Sequence, residues 1–317
     1  MPPIIQVDHL VKTYKKSSKP AVDDITFDVL AGELFAFLGP NGAGKTTTIS
    51  ILTTTLAKSS GTVTIAGYDL EREAKAVRRN IGIIFQNPSV DLHLSGEENI
   101  RLHVAIYSLY GYRPFYRAMP AEYRRRIEEL ADVVGLGDDI GKPLKTFSGG
   151  MKRKLEIIRS LMHRPAVLFL DEPTSGLDPI SRAGLWTYLR GVRNTDGTTI
   201  FLTTHYLDEA EDADRICVID HGRIAVIGTP DEMKRQLLDR SILLDATDRP
   251  ALVSELDAMG LAHTSEPSGV LRVHYRESTA QEVIARLDTP LSVLRIHEPS
   301  LDEAYVELLR QTEQAIA

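Results

Sequence analysis

Residues Gly39–Thr47 read Gly-Pro-Asn-Gly-Ala-Gly-Lys-Thr-Thr, between the apolar run "GELFAFL" and the apolar-periodic run "TISILTTTL". The residues Gly39, Pro40, Asn41, Gly42, Ala43, Gly44, Lys45 and Thr46 fit G-x-x-x-x-G-K-[ST], and the flanks predict the required context of a strand before and a helix after. Glycines let backbone N–H groups wrap phosphate oxygens, and Lys45 is suited to neutralise the β and γ oxygens. The Thr46 hydroxyl is a candidate Mg²⁺ ligand. By itself this loop implies a nucleoside triphosphate and nothing more.

Further along stands "VLFLDEP", residues 167–173. Four apolar residues predict a buried strand whose C-terminal end presents Asp171, where ligands sit in open α/β sheets. Asp171 is there a candidate for holding Mg²⁺ through water, and Glu172 beside it a candidate general base for an attacking water. Between the two motifs lies "KTFSGGMK", residues 145–152. A Ser-Gly-Gly turn opening a helix is a second place where exposed N–H groups can meet an anion. One chain therefore carries two phosphate-type turns far apart in sequence.

Composition narrows the class. Of 317 residues, 43% are hydrophobic and 26% charged, ordinary for a globular protein with room for one large and one small domain. A net charge of −7 argues against a general nucleic-acid binder. The single cysteine, Cys217 in "RICVID", excludes an intramolecular disulfide framework and fits a buried strand residue in a reducing compartment. No apolar run reaches the roughly 18 residues of a membrane span, and "MPPIIQVDHL" lacks the pattern of a signal peptide. The expectation is a cytosolic chain that meets a membrane only through a partner.

Periodicity outlines the rest. "IIQVDHLVKTY", "AVDDITFDVL" and "GELFAFLG" read as three strands of an antiparallel N-terminal layer. "GTVTIAGYDL" reads as a strand pair, "REAKAVRRN" as a helix and "IGIIFQ" as a buried strand. Residues 95–145 read as mainly helical, and "KRKLEIIRSLMHRP" as a helix stopped near Pro165. Apolar strands "AVLFLDEP" and "TTIFLTTH" alternating with helices imply a parallel sheet covered on both faces. "RICVIDHGRIAVIGTP" looks like a hairpin. A separate tail carries the strands "SILLDA", "GVLRVHY" and "LSVLRIH" with three helices; Ser278…Gln281 and Ser300…Glu303 have the spacing of capping boxes. The run "YRRRIEEL" is expected to be a solvated helix face with i,i+4 ion pairs. In "YSLYGYRPFYRAMP" the aromatics Tyr107, Tyr110, Tyr112, Phe115 and Tyr116 are read as core, with a docking surface as the alternative.

Taken together, Gly39–Thr46, Gln86 in "IIFQNP", "SGGM" at 148–151, "LDEPTSGLD" at 170–178 and His205 in "LTTH" stand in the order found in ATP-binding-cassette (ABC) ATPases. Over roughly residues 4–235 the chain resembles the nucleotide-binding subunit of an ABC transporter. The SGGM form and the C-terminal extension are similar to the daunorubicin and multidrug-resistance exporter ATPases. The resemblance implies an α/β P-loop NTPase fold of ABC type, with a mixed sheet core, an antiparallel β layer and a helical subdomain near 95–163. It implies an ATP-binding domain at 1–238, and the tail at 239–317 is expected to be a small α/β accessory domain. Glu298-Pro299-Ser300-Leu301 resembles the family's C-terminal pattern and favours a role in assembly.

The same resemblance implies ATP and Mg²⁺ as cofactors. Two copies meet head to tail, each nucleotide lying between the glycine loop of one chain and Ser148, Gly149, Gly150 and Met151 of the other. By position, Tyr14 resembles the aromatic that stacks on adenine, and Thr47 closes the loop. Gln86 resembles the glutamine that ligates Mg²⁺ and senses the transmembrane partner, His205 the histidine that contacts the γ-phosphate and orients Glu172, and Asp178 a residue coupling the two sites. Partners are then a second copy and separately encoded transmembrane permease subunits at the cytoplasmic face of the membrane, with no nucleic acid. Two departures stand out from the commoner LSGGQ signature: Phe147 replaces its leucine and Met151 its glutamine, which puts ribose contacts across the interface in question. Export is the leading expectation. An importer ATPase, or a soluble ABC ATPase acting on ribosomes or DNA, is the alternative; the single cassette and the absence of a long coiled-coil insertion weigh against the soluble class.

Overall fold

The computed structural model describes residues 3–15, 17–85, 90–107, 109–175, 177–204, 206–237, 240–275, 279–297 and 300–316. The chain divides into two compact units, Met1–Ile227 and Gly228–Ala317. In order the elements of the first are β1 (Ile5–Lys12), β2 (Val22–Val29), β3 (Leu34–Leu38), α1 (Lys45–Leu52), β4 (Ser60–Ile65), β5 (Tyr68–Asp69), α2 (Ala74–Asn80), β6 (Ile81–Ile84), α3 (Gly96–Ile106), α4 (Ala121–Val134), α5 (Gly149–Leu161), β7 (Val167–Asp171), α6 (Pro179–Asp196), β8 (Thr199–Thr204), α7 (Leu207–Glu211), β9 (Arg215–Asp220) and β10 (Arg223–Gly228). The second holds α8 (Pro230–Leu237), β11 (Arg240–Ala246), α9 (Arg249–Ala258), β12 (His263–Ser265), β13 (Leu271–Tyr275), α10 (Ala280–Ile284), β14 (Leu291–His297) and α11 (Leu301–Ile316).

Two sheets build the first unit. One has the order β2-β1-β4-β5 and antiparallel pairings; the other has the order β10-β9-β3-β8-β7-β6, parallel from β9 through β6. Every residue of β3, β7 and β8 is buried, as strands covered on both faces must be. This corrects one expectation. "LFAFL" is not the third strand of the antiparallel layer but a central strand of the parallel sheet, beside β8 and β9. Its apolar run is continuous rather than alternating, which is the mark of a two-sided strand. The place beside β1 goes to β4 instead.

The layers meet through aromatic rings. Phe35, Phe37, Phe169 and Phe201 share one face of the parallel sheet, and Phe27 of β2 lies 5.7 Å from Phe35 and from Phe37 and 6.1 Å from Phe201. Burying rings of this size supplies about 2–3 kcal/mol each. β9 and β10 are joined by His221-Gly222, both with positive φ, the two-residue hairpin turn suited to twisted strands.

In the helical segment, α3 opens with a Ser95/Glu98 capping box and stops at Ile106, short of the long helix the sequence suggested. α4 ends on Gly135 in the left-handed conformation. On α4, Arg125 and Arg126 lie 3.8 and 3.7 Å from Glu129, but Arg126 is mostly covered and also meets Asp196 of α6 and the Leu161 carbonyl. That face is therefore only partly solvated. The aromatic run is not core: Tyr112 and Phe115 are 63% and 71% exposed, and Tyr107 is partly exposed. Only Tyr110 and Tyr116 turn inward, against the fully buried Tyr123.

The second unit is an antiparallel sheet, β12-β13-β11-β14, with Ile242, Leu244, Leu252, Leu256, Val273 and Val283 in its core. The three expected strands and three expected helices form, and β12 is a fourth strand whose His-Thr-Ser sequence gave no pattern to read. The Ser300/Glu303 box is made, Ser300 N donating to Glu303 Oε2 and Glu303 N to Ser300 Oγ. Ser278 lies outside the described residues, and α10 is capped by Thr279 with Glu282 instead. α8 packs on α11 within this unit.

Candidate active site

The order β3-β8-β7 in a parallel sheet brings three C-terminal strand ends to one edge. β3 runs into the glycine loop there. Gly39 sits so close to β9 that a Cβ would lie 2.2 Å from the Ile219 carbonyl oxygen. Gly44 has φ +114 and a Cβ there would lie 2.5 Å from the Ala21 carbonyl oxygen, so only glycine fits at the N-cap of α1. No side chain caps α1 and no acidic residue lies in its first turn, leaving backbone N–H groups directed at the loop. Thr46 is exposed and Thr47 partly so.

Lys45 is 6% exposed and donates to the carbonyls of Gly39 and Pro40 at 2.6 and 3.0 Å. Burial pushes its ammonium below the ordinary lysine range, while Glu172 and Asp171 pull it back up. Asp171 is the last residue of β7 and Glu172 follows it. Asp171 is 5% exposed and its Oδ1 accepts from the Thr203 hydroxyl of β8 at 2.6 Å. Burial raises the Asp171 carboxyl above its ordinary range; Thr203, Lys45 and Arg153 hold it down, and Glu172 adds to the rise. Glu172 has φ +44, a left-handed conformation disfavoured for a side chain with a Cβ. Its N–H donates to the Thr203 carbonyl at 3.0 Å.

Tyr14 is 44% exposed; its hydroxyl lies 3.2 Å from Thr47 Oγ1, and Lys12 Nζ lies 5.5 Å from the ring centroid. The fold thus gathers Tyr14, the loop, Lys45, Asp171 and Glu172. The Ser-Gly-Gly turn is anchored elsewhere: Ser148 is the N-cap of α5, its Oγ accepting from Met151 N at 3.2 Å. Ser148 and Gly149 are exposed, whereas Phe147 is 5% exposed, so the substituted signature position is an apolar plug. Asp178 caps α6, its Oδ1 accepting from Ile180 N at 3.0 Å. Gln86 and His205 lie outside the described residues.

Oxygen donors suit Mg²⁺: the exposed Thr46 hydroxyl and the buried, raised Asp171 carboxyl, which a dication stabilises in its charged form. Among the described residues no three His, Cys, Asp or Glu side chains gather to hold a metal alone, in keeping with an ion completed by phosphates and water. Two residues that sequence reading missed belong to this site. Thr203 was a polar residue in an apolar strand, a readable signal; Arg153 lies in a stretch read only as a helix.

Comparison with known proteins agrees with this geometry. A family model described as "ABC transporter" matches residues 22–175. The "Daunorubicin/doxorubicin resistance ATP-binding protein DrrA" of Streptomyces peucetius is 40% identical over 98% of this chain and 96% of its own length. The "Linearmycin resistance ATP-binding protein LnrL" of Bacillus subtilis is 31% identical over 98% and 99%. Among solved structures, an ATP-binding subunit of an ABC transporter is 30% identical with a TM-score of 0.64 over 74% of this chain and 92% of that one. A bacterial ABC transporter cassette, described as dimeric, is 26% identical with a TM-score of 0.63 over 71% and 98%. This chain belongs to the ABC transporter family and is an ATP-binding subunit with ATPase activity.

Proposed function

We propose that the chain energises an exporter, two copies binding ATP and driving separately encoded transmembrane subunits that move a drug, lipid or other amphiphile. The names of the resistance relatives support this direction and substrate class. No helix among the described residues is long and apolar enough to cross a membrane. On this reading the chain meets the bilayer through those subunits, from its cytoplasmic face. Gly39–Thr47 and Lys45 hold the phosphates, and Tyr14 stacks on adenine. Thr46 and Gln86, with Asp171 through water, would hold Mg²⁺, which when bound would offset phosphate charge. Glu172 takes a proton from water as the water oxygen bonds to the γ-phosphorus and the bond to the β-phosphate oxygen breaks, giving ADP and phosphate. His205 orients Glu172, and Asp178 couples the two sites.

Ser148, Gly149, Gly150 and Met151 of the second copy cover the γ-phosphate, so ATP closes the dimer and its hydrolysis loosens it. Residues 1–238 form the ATPase and 239–317 an accessory domain serving assembly. The observation that carries the reading is the gathering of Lys45, Asp171 and Glu172 at one sheet edge, with Ser148 and Gly149 exposed at the start of another helix. Size-exclusion chromatography of Glu172→Gln tests it: ATP is expected to shift the variant to a stable dimer, and a monomer at saturating ATP would sink the proposal.

A further inference from the structure

Arg153 lies on α5, five residues after Ser148, and its side chain is 7% exposed. All five of its N–H donors are engaged. Nε donates to the Pro173 carbonyl at 2.9 Å, and Nη2 is shared between the carbonyls of Asp171 and Glu172 at 3.3 and 3.4 Å. Nη1 donates to the Phe85 carbonyl and, at 3.1 Å, to Glu156 Oε2. Glu156, 2% exposed, fixes the guanidinium from the same helix. Four of the five acceptor groups are therefore backbone carbonyls of two other segments: the strained turn that aims Glu172, and the residue just before Gln86. A planar fork matches this arrangement; an ammonium does not.

We propose that Arg153 is a positioning residue joining the two half-sites of one chain, carrying movement of the Ser148–Gly150 turn to the backbone of Asp171–Pro173 and Phe85. This rests on the sandwich-dimer reading. The N-terminus of α5 faces a nucleotide held by the second copy, while the turn at Glu172 faces the nucleotide on the chain's own loop. Because α5 is a continuous helix between Ser148 and Arg153, closing on one γ-phosphate shifts the carbonyl clamp that sets the other site's base. Each chain so reports the state of one nucleotide to the machinery acting on the other.

The test is ATP turnover of the full chain as a function of ATP concentration. The parent is expected to show a Hill coefficient above about 1, and Arg153→Lys to drop to about 1. Arg153→Lys is expected to lose about tenfold or more in kcat with half-saturating ATP changed by less than about twofold, a split that separates positioning from binding. In the Glu172→Gln background, Arg153→Lys is expected still to dimerise with ATP. Absence of a dimer in Glu172→Gln alone overturns the sandwich reading and this coupling with it. A normal dimer with parental kcat and Hill coefficient in Arg153→Lys, or a parent already at a Hill coefficient of about 1, overturns the coupling alone. Ser160→Ala removes a different bond from α5 to the sheet, the 2.7 Å contact with the Ile83 carbonyl. An equal loss there would mean general loosening of α5 and also overturns the proposal. Should Arg153→Lys melt without cooperativity, Glu156→Gln, which weakens the carboxylate contact to Nη1 and also the 4.0 Å pair with Arg159, replaces it and is expected to move kcat and the Hill coefficient the same way.

Discussion

The two helix N-termini proposed to meet phosphates are built differently. α1 begins on a glycine in the left-handed region, has no side-chain cap, and keeps a buried lysine within reach of two carboxylates. α5 begins on Ser148, which caps its own helix, and the turn stands exposed with no acidic residue in its first turn. On the proposed function the first is a pocket completed by its own chain and the second a lid for a nucleotide held by another copy. The uncapped end has Lys45 of its own chain beside it for the phosphates, and the end capped by its own serine is exposed.

Lys45→Ala breaks the comparison hardest, because it removes the charge that makes the α1 end a pocket. Phosphate release is expected to fall about 10³-fold, in line with losing a preorganised transition-state contact. Undiminished release would refute the role given to Lys45. Unfolding should register the change far less, since the ammonium's hydrogen-bond partners are two loop carbonyls.

At the α5 end the expected effect is smaller and of another kind. Ser148→Ala removes a helix cap worth about 1 kcal/mol and with it the proposed γ-phosphate donor. ATP-driven dimerisation should weaken by roughly tenfold while ADP affinity of the monomer stays unchanged. Equal weakening for ATP and ADP, followed by fluorescent-nucleotide titration, would place the turn outside the γ-phosphate contact. Tyr14→Leu perturbs the α1 side more gently: loss of ring stacking is expected to cost about 1 kcal/mol of nucleotide affinity, for ATP and ADP alike, in the same titration. A loss confined to ATP would reassign the ring.

How far these two ends could be read from sequence follows from their chemistry. Gly39–Lys45 was legible because a backbone cradle needs glycine at fixed positions and a lysine beside them, and no common fold element shares that pattern. "DEP" was legible because charge after four apolar residues has to emerge at a strand end. β3 was misplaced because adjacency in sequence suggested a meander, although its unbroken apolar run already argued for burial on both faces. Arg153 was invisible: its acceptors are carbonyls at Phe85 and Asp171–Pro173, and a carbonyl carries no side-chain signature. The rings at Tyr107–Tyr116 showed apolar area without showing which side it faces, and only the fold around Tyr123 separates Tyr110 and Tyr116 from the exposed Tyr112 and Phe115.

The smallest expected effect sharpens the comparison from beneath α5. That helix rests on α3, where the His103 ring lies tilted with its centroid 4.3 Å from that of Tyr107 and feels the charges of Arg159 and His163. Burial, then the charges of Arg159 and His163, lower His103 from 6.5 to about 3. His163 is also lowered by burial, with its Nε2 at 2.9 Å from the Ile81 carbonyl. Since the unfolded chain takes up the proton first, stability from a neutral His103 is complete above pH 6.5 and is lost as pH falls from there toward about 3. The loss belongs to the seat of α5 and not to α1. Between pH 7 and about 5, amide exchange in α3 and α5 should accelerate relative to α1. His103→Asn should reduce that difference, leaving the part that His163 contributes. If α1 and α5 loosen together on acidification, the two anion-binding ends are not independently supported, and the lid has no softer hinge than the pocket.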